Sequence, residues 1–367
     1  MRTTYSRKVS HLVIGLTLAA AIALVTACAP ILAFGQEASD EHANKHLLIS
    51  DQFNNRVIEV DPATHRVVWS FGDGSDKPGP HSVVGPNDAE RIDAYTLISG
   101  TGIPASNPAL PGCSDATNGC PDNRVLLVGP EGQILWQYGQ AGVTGAGPDQ
   151  LNAPVQSLIL TTFPGHTGPH VLITDQGNER IILVNMSKQI VWQYGTTGVS
   201  GDGANQLNNP NSAEVLENGH ILIADESNNR VIEITPAKHI VKTFTAGGTL
   251  NGTAFASRVP NGDTLISDAN NNRIVQVDPD DKVVFQYVTN KAPGSNPTPQ
   301  PTRGIRLSNG NTLISDQFNY RVIEVTPAGK IVFQQGETNV SGDTFNRLNG
   351  PYDAKQIGDF TGLTPPN

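Results

Sequence analysis

One sentence of sequence is rewritten along the chain, and it limits the fold more than anything else. Residues 47–60 read LLISDQFNNRVIEV, and the phrase returns as LITDQGNERIILV from Leu172, LIADESNNRVIEI from Leu222, LISDANNNRIVQV from Leu265 and LISDQFNYRVIEV from Leu313. Each copy is an apolar run, then Asp-x-x-Asn-x-Arg, then a run alternating apolar with polar residues. Alternation at period two marks half-buried strands, and an Asp/Asn-rich centre marks the turn between them. The repeated unit is a β-hairpin.

The anchors Asp175, Asp225, Asp268 and Asp316 are 50, 43 and 48 residues apart. A self-similar period of ~40–50 residues is that of β-propeller blades, each a four-stranded antiparallel sheet. The 124 residues from Asp51 to Asp175 hold a degenerate copy, with Thr96–Ser99 as its first strand and Asn123–Val128 as its second. Six units result. A further strand follows each hairpin and carries a bulky residue, as in VVWSF at Val67, ILWQY at Ile134 and IVWQY at Ile190. An aromatic at one fixed blade position reads as packing between neighbours.

The first strand of each unit comes after a glycine-rich connector: PNDAE at Pro86, PVQS at Pro154, PNSAE at Pro210, Gly252–Ser257, PTRG at Pro301 and PYDAK at Pro351. The first hairpin has no such strand before it, and the strand at Pro351 has no hairpin after it. The expected fold is therefore all-β: a six-bladed propeller of four-stranded antiparallel blades, closed by the C-terminal strand joining the N-terminal blade. Deleting residues 350–367 is expected to unfold it. The expected domains are a targeting segment 1–35, a linker 36–45, the propeller 46–356 and a tail 357–367.

The N-terminus has an export pattern, with Arg2, Arg7 and Lys8 before an apolar run from Leu12 to Ala27. Three outcomes stay open. VTAC ending at Cys28 suits lipidation of that cysteine, AFG ending at Gly35 suits cleavage before Gln36, and an uncut segment would be an anchor. All three put the propeller in a bacterial cell envelope, attached to membrane only through the N-terminal lipid or anchor. Cys113 and Cys120, both within an insertion at 101–123, are expected to form a disulfide there. From Gln36 onward the chain has 21 basic and 34 acidic side chains, a charge of −13. That excludes nucleic acid and anionic membrane surface as partners, because both need basic patches.

The motif Asp-x-x-Asn-x-Arg-[Val/Ile], the aromatic-Gly ending and Gly-x-x-x-Gly-x-x-x-x-x-Leu-Asn-x-Pro together resemble the NHL-repeat family of six-bladed propellers over residues 46–356. The resemblance implies the fold; that fold serves lyases, hydrolases and binding scaffolds alike. PNDAE and PNSAEVLENGHILI also resemble arylsulfotransferase-type propellers, whose catalytic histidine falls where this chain has Asn87 and Asn211. Asparagine can neither carry a transferred group nor act as a base.

Residues repeated in every blade read as architecture, with each anchor Asp accepting N–H groups in its turn and each motif Arg bridging to a neighbouring blade. Function is to be sought where the copies differ, and they differ on the innermost strands. Asn87, Asp88, Glu90, Asn211, Glu214, Arg303, Arg306, Tyr352 and Asp353 are the candidate ligand-binding residues of the channel. Asp88, Glu90, Glu214 and Asp353 are the candidate ligands if a calcium or zinc ion is held; no other cofactor and no catalytic residue is expected. The insertion 101–123, the loop 163–170 and the stretch 291–301 are further candidates for recognition. A monomeric binding or scaffold module, recognising a polar small molecule or an envelope protein, is the first functional expectation. A channel-centred enzyme, a metal-dependent lyase or hydrolase or a diverged sulfotransferase, is the alternative.

Overall fold

A computed structural model describes residues 46–366. The expectations for residues 1–45, including lipidation at Cys28 and both cleavage sites, lie outside the described residues.

Blade one begins with β1 (Leu47–Asp51), β2 (Arg56–Asp61) and β3 (Arg66–Phe71). Blade two is β4 (Pro86–Ile92), β5 (Tyr95–Ile103), β6 (Cys120–Val128) and β7 (Ile134–Tyr138). Blade three is β8 (Pro154–Phe163), β9 (His166–Asp175), β10 (Arg180–Asn185) and β11 (Ile190–Tyr194). Blade four is β12 (Pro210–Val215), β13 (Ile221–Asp225), β14 (Arg230–Ile234) and β15 (Ile240–Phe244). Blade five is β16 (Thr253–Arg258), β17 (Thr264–Asp268), β18 (Arg273–Val277) and β19 (Val283–Val288). Blade six is β20 (Pro301–Arg306), β21 (Thr312–Asp316), β22 (Arg321–Val325) and β23 (Ile331–Gly336). The last strand, β24 (Pro351–Gln356), returns to blade one and pairs antiparallel with β1, Ile49 opposite Ala354 and Leu47 opposite Gln356. The sheets are thus six, each of four strands, and the ring closes as the sequence predicts.

Each motif turn is one 3-10 turn followed by a residue in the left-handed region: Asn55, Glu179, Asn229, Asn272 and Tyr320. Asparagine suits that conformation, and the fold imposes it on Glu179 and Tyr320 as well. The motif arginines pair with their own blade's Asp rather than a neighbour's, and Arg56 and Arg230 also reach connector carbonyls, of Asp343 and Asp202. Arg56, Arg180, Arg230, Arg273 and Arg321 each donate Nε to the Asp of their own blade, at 2.6–2.8 Å. In four of the five blades the other oxygen of that Asp accepts the N–H of the incoming connector, Asn349 for Asp51, Asn152 for Asp175, Asn208 for Asp225 and Asn251 for Asp268. The Asn of Leu-Asn-x-Pro is therefore the link from one blade to the next. In blade two Gly100 stands at the anchor position, and Asp122 fills the space a side chain there would occupy, pairing with Arg124.

The core lies between blades rather than at one centre. Leu158, Ile181 and Tyr194 of blade three pack on Ala213, Ile223 and Ile232 of blade four, all at most 3% exposed. The fixed aromatics clamp these layers, since Trp69, Trp136 and Trp192 donate to the carbonyls of Pro130, Met186 and Pro236 on the following blade. Phe333 stacks on His65 and closes the ring in the same way, at 5.6 Å between centroids.

Antiparallel strands put the 3-10 turns and connectors on one face, called upper, and the turns after the innermost strands on the lower face. The insertion between β5 and β6, closed by the Cys113–Cys120 disulfide, is upper, and so is 291–300. The 163–170 segment is instead an extension of the β8–β9 hairpin on the lower face. The tail after β24 also lies below. A disulfide fits a compartment outside the cytoplasm. Among the described residues no helix is long and apolar enough to cross a membrane.

Candidate functional site

Every innermost strand begins with a β-bulge, with register shifts at Pro86/Asp88, Pro154/Gln156, Pro210/Ser212, Thr253/Phe255, Pro301/Arg303 and in the pairing of β24. A bulge re-aims the extra residue. Here it turns Asn87, Asn211, Thr302 and Tyr352 toward the upper mouth, whereas their neighbours line the channel below.

The mouth layer is a set of hydrogen-bonded relays. Gln317 donates to Gln52 and Gln52 to Asn87, both at 2.7 Å. Gln176 donates to Glu226 at 3.2 Å; Asn211 reaches Glu226 and the Tyr352 hydroxyl, each at 2.8 Å. Blades one and four are opposite in a six-bladed ring, so the Asn211–Tyr352 bond spans the channel. Arg303 lies beneath, 1% exposed, stacked between Phe255 and Tyr352 at 4.7 and 5.6 Å. Its Nη1 donates to the Ala254 carbonyl at 3.1 Å, and among the described residues Nη2 has no hydrogen-bond partner. Burial, then the nearby Glu226, pushes the Tyr352 hydroxyl up to about 12.

The middle layer is an ion cluster. Lys355 Nζ lies 2.6 Å from Asp88 Oδ1 and 2.6 Å from Asp353 Oδ2, and donates to the Ala89 carbonyl at 2.9 Å. Arg303 Nε is 3.5 Å from the other oxygen of Asp353. Burial works against the Lys355 charge, but Asp353 and Asp88 outweigh it and hold its pKa above the ordinary lysine value. Asp353 is raised by burial despite both cations. The place between Asp88 and Asp353 that a cation would take is held by an ammonium group.

In the lower layer Glu214 accepts Gln156 Nε2 at 2.8 Å and both the N–H and hydroxyl of Thr364, at 2.7 and 2.6 Å. The tail thus closes the lower mouth by capping a carboxylate. Glu90 is equally buried, yet among the described residues its Oε2 has no partner, and burial raises its pKa well above the usual range.

Glu90 yields a pH prediction with a definite sign. Below the ordinary glutamate pKa both folded and unfolded chains hold the proton. As pH rises past it only the unfolded chain ionises, so stability falls until the folded pKa is reached. Glu90→Gln keeps an acceptor for the Ile159 N–H and cannot ionise. The variant is expected to melt several degrees above the parent at pH 8 and together with it at pH 4, by scanning fluorimetry. A parent equal to the variant at both pH values would show that Glu90 ionises without penalty.

The sequence candidates thus occupy three layers, with one exception. Arg306 lies outside the channel, stacked over Phe285 at 5.4 Å and bonded to Gln276 and the Gly310 carbonyl. Arg91 over Trp69 and Arg258 over Phe244 repeat that arrangement, so it belongs to inter-blade packing. Asp88, Glu90, Glu214 and Asp353 do not converge as a metal-ligand set, and among the described residues no group of three or more His, Cys, Asp or Glu does so. Sequence reasoning missed Gln52, Gln176, Glu226 and Gln317. They fill the first x of Asp-x-x-Asn-x-Arg, and a Gln or Glu in four copies of an otherwise architectural motif was the available signal. Thr364 carried none.

No family model matches this chain, and no curated protein matches it. Among solved structures it is similar to a protein of unknown function from Bacteroides caccae, at 16% identity and TM-score 0.50, over 79% of this chain and 93% of that one. It is also similar to virginiamycin B lyase from Staphylococcus aureus, at 14% identity and TM-score 0.42, over 67% and 68%. A streptogramin B lyase structure matches at 13% identity and TM-score 0.45, over 70% of each chain. These likenesses are of fold.

Proposed function

We propose that this chain is an exported, NHL-like cell-envelope propeller acting as a binding module, which engages a polar ligand or an envelope protein through its upper mouth. The observation that carries the reading is the closure at Asn211–Tyr352, with Gln176, Glu226 and Tyr352 half-buried around it. Amide, carboxylate and phenol groups side by side suit a partner rich in donors and acceptors. Below that closure Asp88 and Asp353 already have cationic partners, so reaction chemistry in the channel would require the closure to open.

The test is capture from a solubilised envelope fraction, comparing the parent with Gln176→Arg and Glu226→Lys. Both side chains are half-buried and Glu226 accepts from Asn211, so melting temperatures are measured first and capture should be lost at a temperature where both variants are folded. A partner retained equally by all three proteins sinks the reading. Elemental analysis of the same protein before and after chelation addresses the alternative, because one tightly held calcium or zinc per chain would favour a metal-dependent lyase or hydrolase.

A further inference from the structure

Side-chain relays cross the upper face of the ring. In the first, Gln317 of blade six donates to Gln52 of blade one, and Gln52 to Asn87 of blade two. In the second, Gln176 of blade three donates to Glu226 of blade four. In the third, Gln300 in the connector to blade six donates to Asn270 of blade five at 3.0 Å, and Asn270 donates to Asn251 at 3.3 Å. These bonds fix the side chains and leave the ends of the relays open. Among the described residues Asn87 Nδ2 and the Oε1 atoms of Gln176, Glu226, Gln300 and Gln317 have no hydrogen-bond partner, and none of them is sealed from solvent.

The open ends mix donors with acceptors over one face. A hydroxyl group both donates and accepts, and neighbouring hydroxyls match the side-by-side N–H and C=O of an amide. An anion only accepts; it would face Glu226, and the guanidinium of this layer, Arg303, lies 1% exposed under Tyr352. A cation only donates and would leave Asn87 Nδ2 unmet. Protein partners are anchored by aromatic and arginine side chains, whereas the exposed residues beside the second relay are Gly177 and Ser227. Beside the first relay Phe53 and Phe318 stack with centroids 6.2 Å apart, and Phe318 is half-buried. An aromatic ring next to amides suits the C–H face of a pyranose, whose hydroxyls then meet the amides.

We propose that the upper mouth binds an uncharged saccharide. The inference rests on the binding-module reading above and names the ligand class of that same site. Biolayer interferometry on the immobilised full chain reads the mass retained from the envelope fraction in three states: untreated, oxidised with periodate to cleave vicinal diols, or digested with protease. Periodate should abolish retention, and protease should leave it unchanged. Glu226→Gln, which keeps the shape and loses the charged acceptor, should weaken retention by about tenfold. Phe318→Leu, which keeps an apolar contact for Phe53 and removes the ring face, should weaken it by roughly fivefold. Both variants are compared with the parent at a temperature where all three are folded. Retention that survives periodate, or that protease removes, overturns the saccharide and leaves the mouth reading standing. Periodate-sensitive retention that neither substitution weakens overturns it as well. Retention unaffected by Gln176→Arg and Glu226→Lys is the separate result that fails the mouth reading itself.

Discussion

A chain ended at Asn349 is expected to show no cooperative unfolding transition, although more than nine-tenths of the sequence remains. The cut removes β24, so β1 loses its ladder partner along Leu47–Asp51. Leu47 and Ile49, buried between blades six and one, lose cover, at ~1.5–3 kcal/mol for each large apolar side chain exposed. Asp88 loses Lys355 and becomes a buried carboxylate without its counter-charge, which costs about 3–5 kcal/mol. Blade one is also left with an open edge. These losses together reach the total stability of an ordinary domain, about 5–15 kcal/mol. Urea titration followed by circular dichroism should give a broad, non-sigmoidal signal for this chain. The matched control ends at Gln356 and keeps β24, losing the Thr364 cap, the Asp359–Ser308 bonds and the packing of Ile357; it should unfold cooperatively at a lower midpoint. A cooperative transition with the parent's midpoint in the shorter chain would mean that the ring does not depend on the closing strand.

That closure was readable because it is a counting argument. A strand without a hairpin at one end and a hairpin without a strand at the other can only be completed by each other. The blade number and the inter-blade role of Trp69, Trp136 and Trp192 were legible for a related reason, since both follow from periodicity. Side-chain partners were less so. Arg56 and its equivalents were expected to reach a neighbouring blade's Asp or carbonyls; a five-residue separation across a 3-10 turn puts Nε on their own Asp, while the terminal nitrogens of Arg56 and Arg230 do reach connector carbonyls, of Asp343 and Asp202. The contact between blades is made by Asn349 and its equivalents in the connectors.

The candidate site was legible by strand and not by layer. Aligning the six innermost strands put Asp88, Arg303 and Asp353 at one strand position, where the structure brings them within one ion cluster with Lys355, yet the bulge that lifts Asn87, Asn211 and Tyr352 into a separate upper layer has no residue signature beyond the proline before them. Arg306 falls on the same strands and still leaves the channel, because it lies beyond the last inward-facing position. Gln176 and Glu226 were hidden inside a motif whose other positions are structural. Thr364 reaches Glu214 across 150 residues of sequence, and no spacing rule finds such a contact.

Lys355→Met is expected to be the most damaging single substitution in the channel, lowering stability at pH 7.5 by about 3–5 kcal/mol. Methionine replaces the volume of the stem and leaves Asp88 and Asp353 facing each other as buried carboxylates, with Glu90 nearby and only Arg303 as a remaining cation. The parent lysine, with its pKa held above the ordinary value, contributes stability that is complete below the unfolded lysine pKa and disappears only at strongly alkaline pH. Its own titration therefore plays no part near neutrality. In the variant Asp353 does titrate, because burial already raises it in the parent and losing the ammonium raises it further. Protonation removes the unpaired charge, so the deficit should shrink as pH is lowered from 7.5 to 5. Adding Asp88→Asn and Asp353→Asn to Lys355→Met should recover part of the loss at pH 7.5, since it removes the two facing carboxylates but leaves Arg303 with Glu226 rather than Asp353 as its nearby acid. Urea midpoints of the parent, single and triple variants at the two pH values give the result. A deficit that is equal at both, or that the two asparagines do not reduce, would mean that Lys355 acts by filling space and hydrogen bonding to the Ala89 carbonyl rather than by balancing charge.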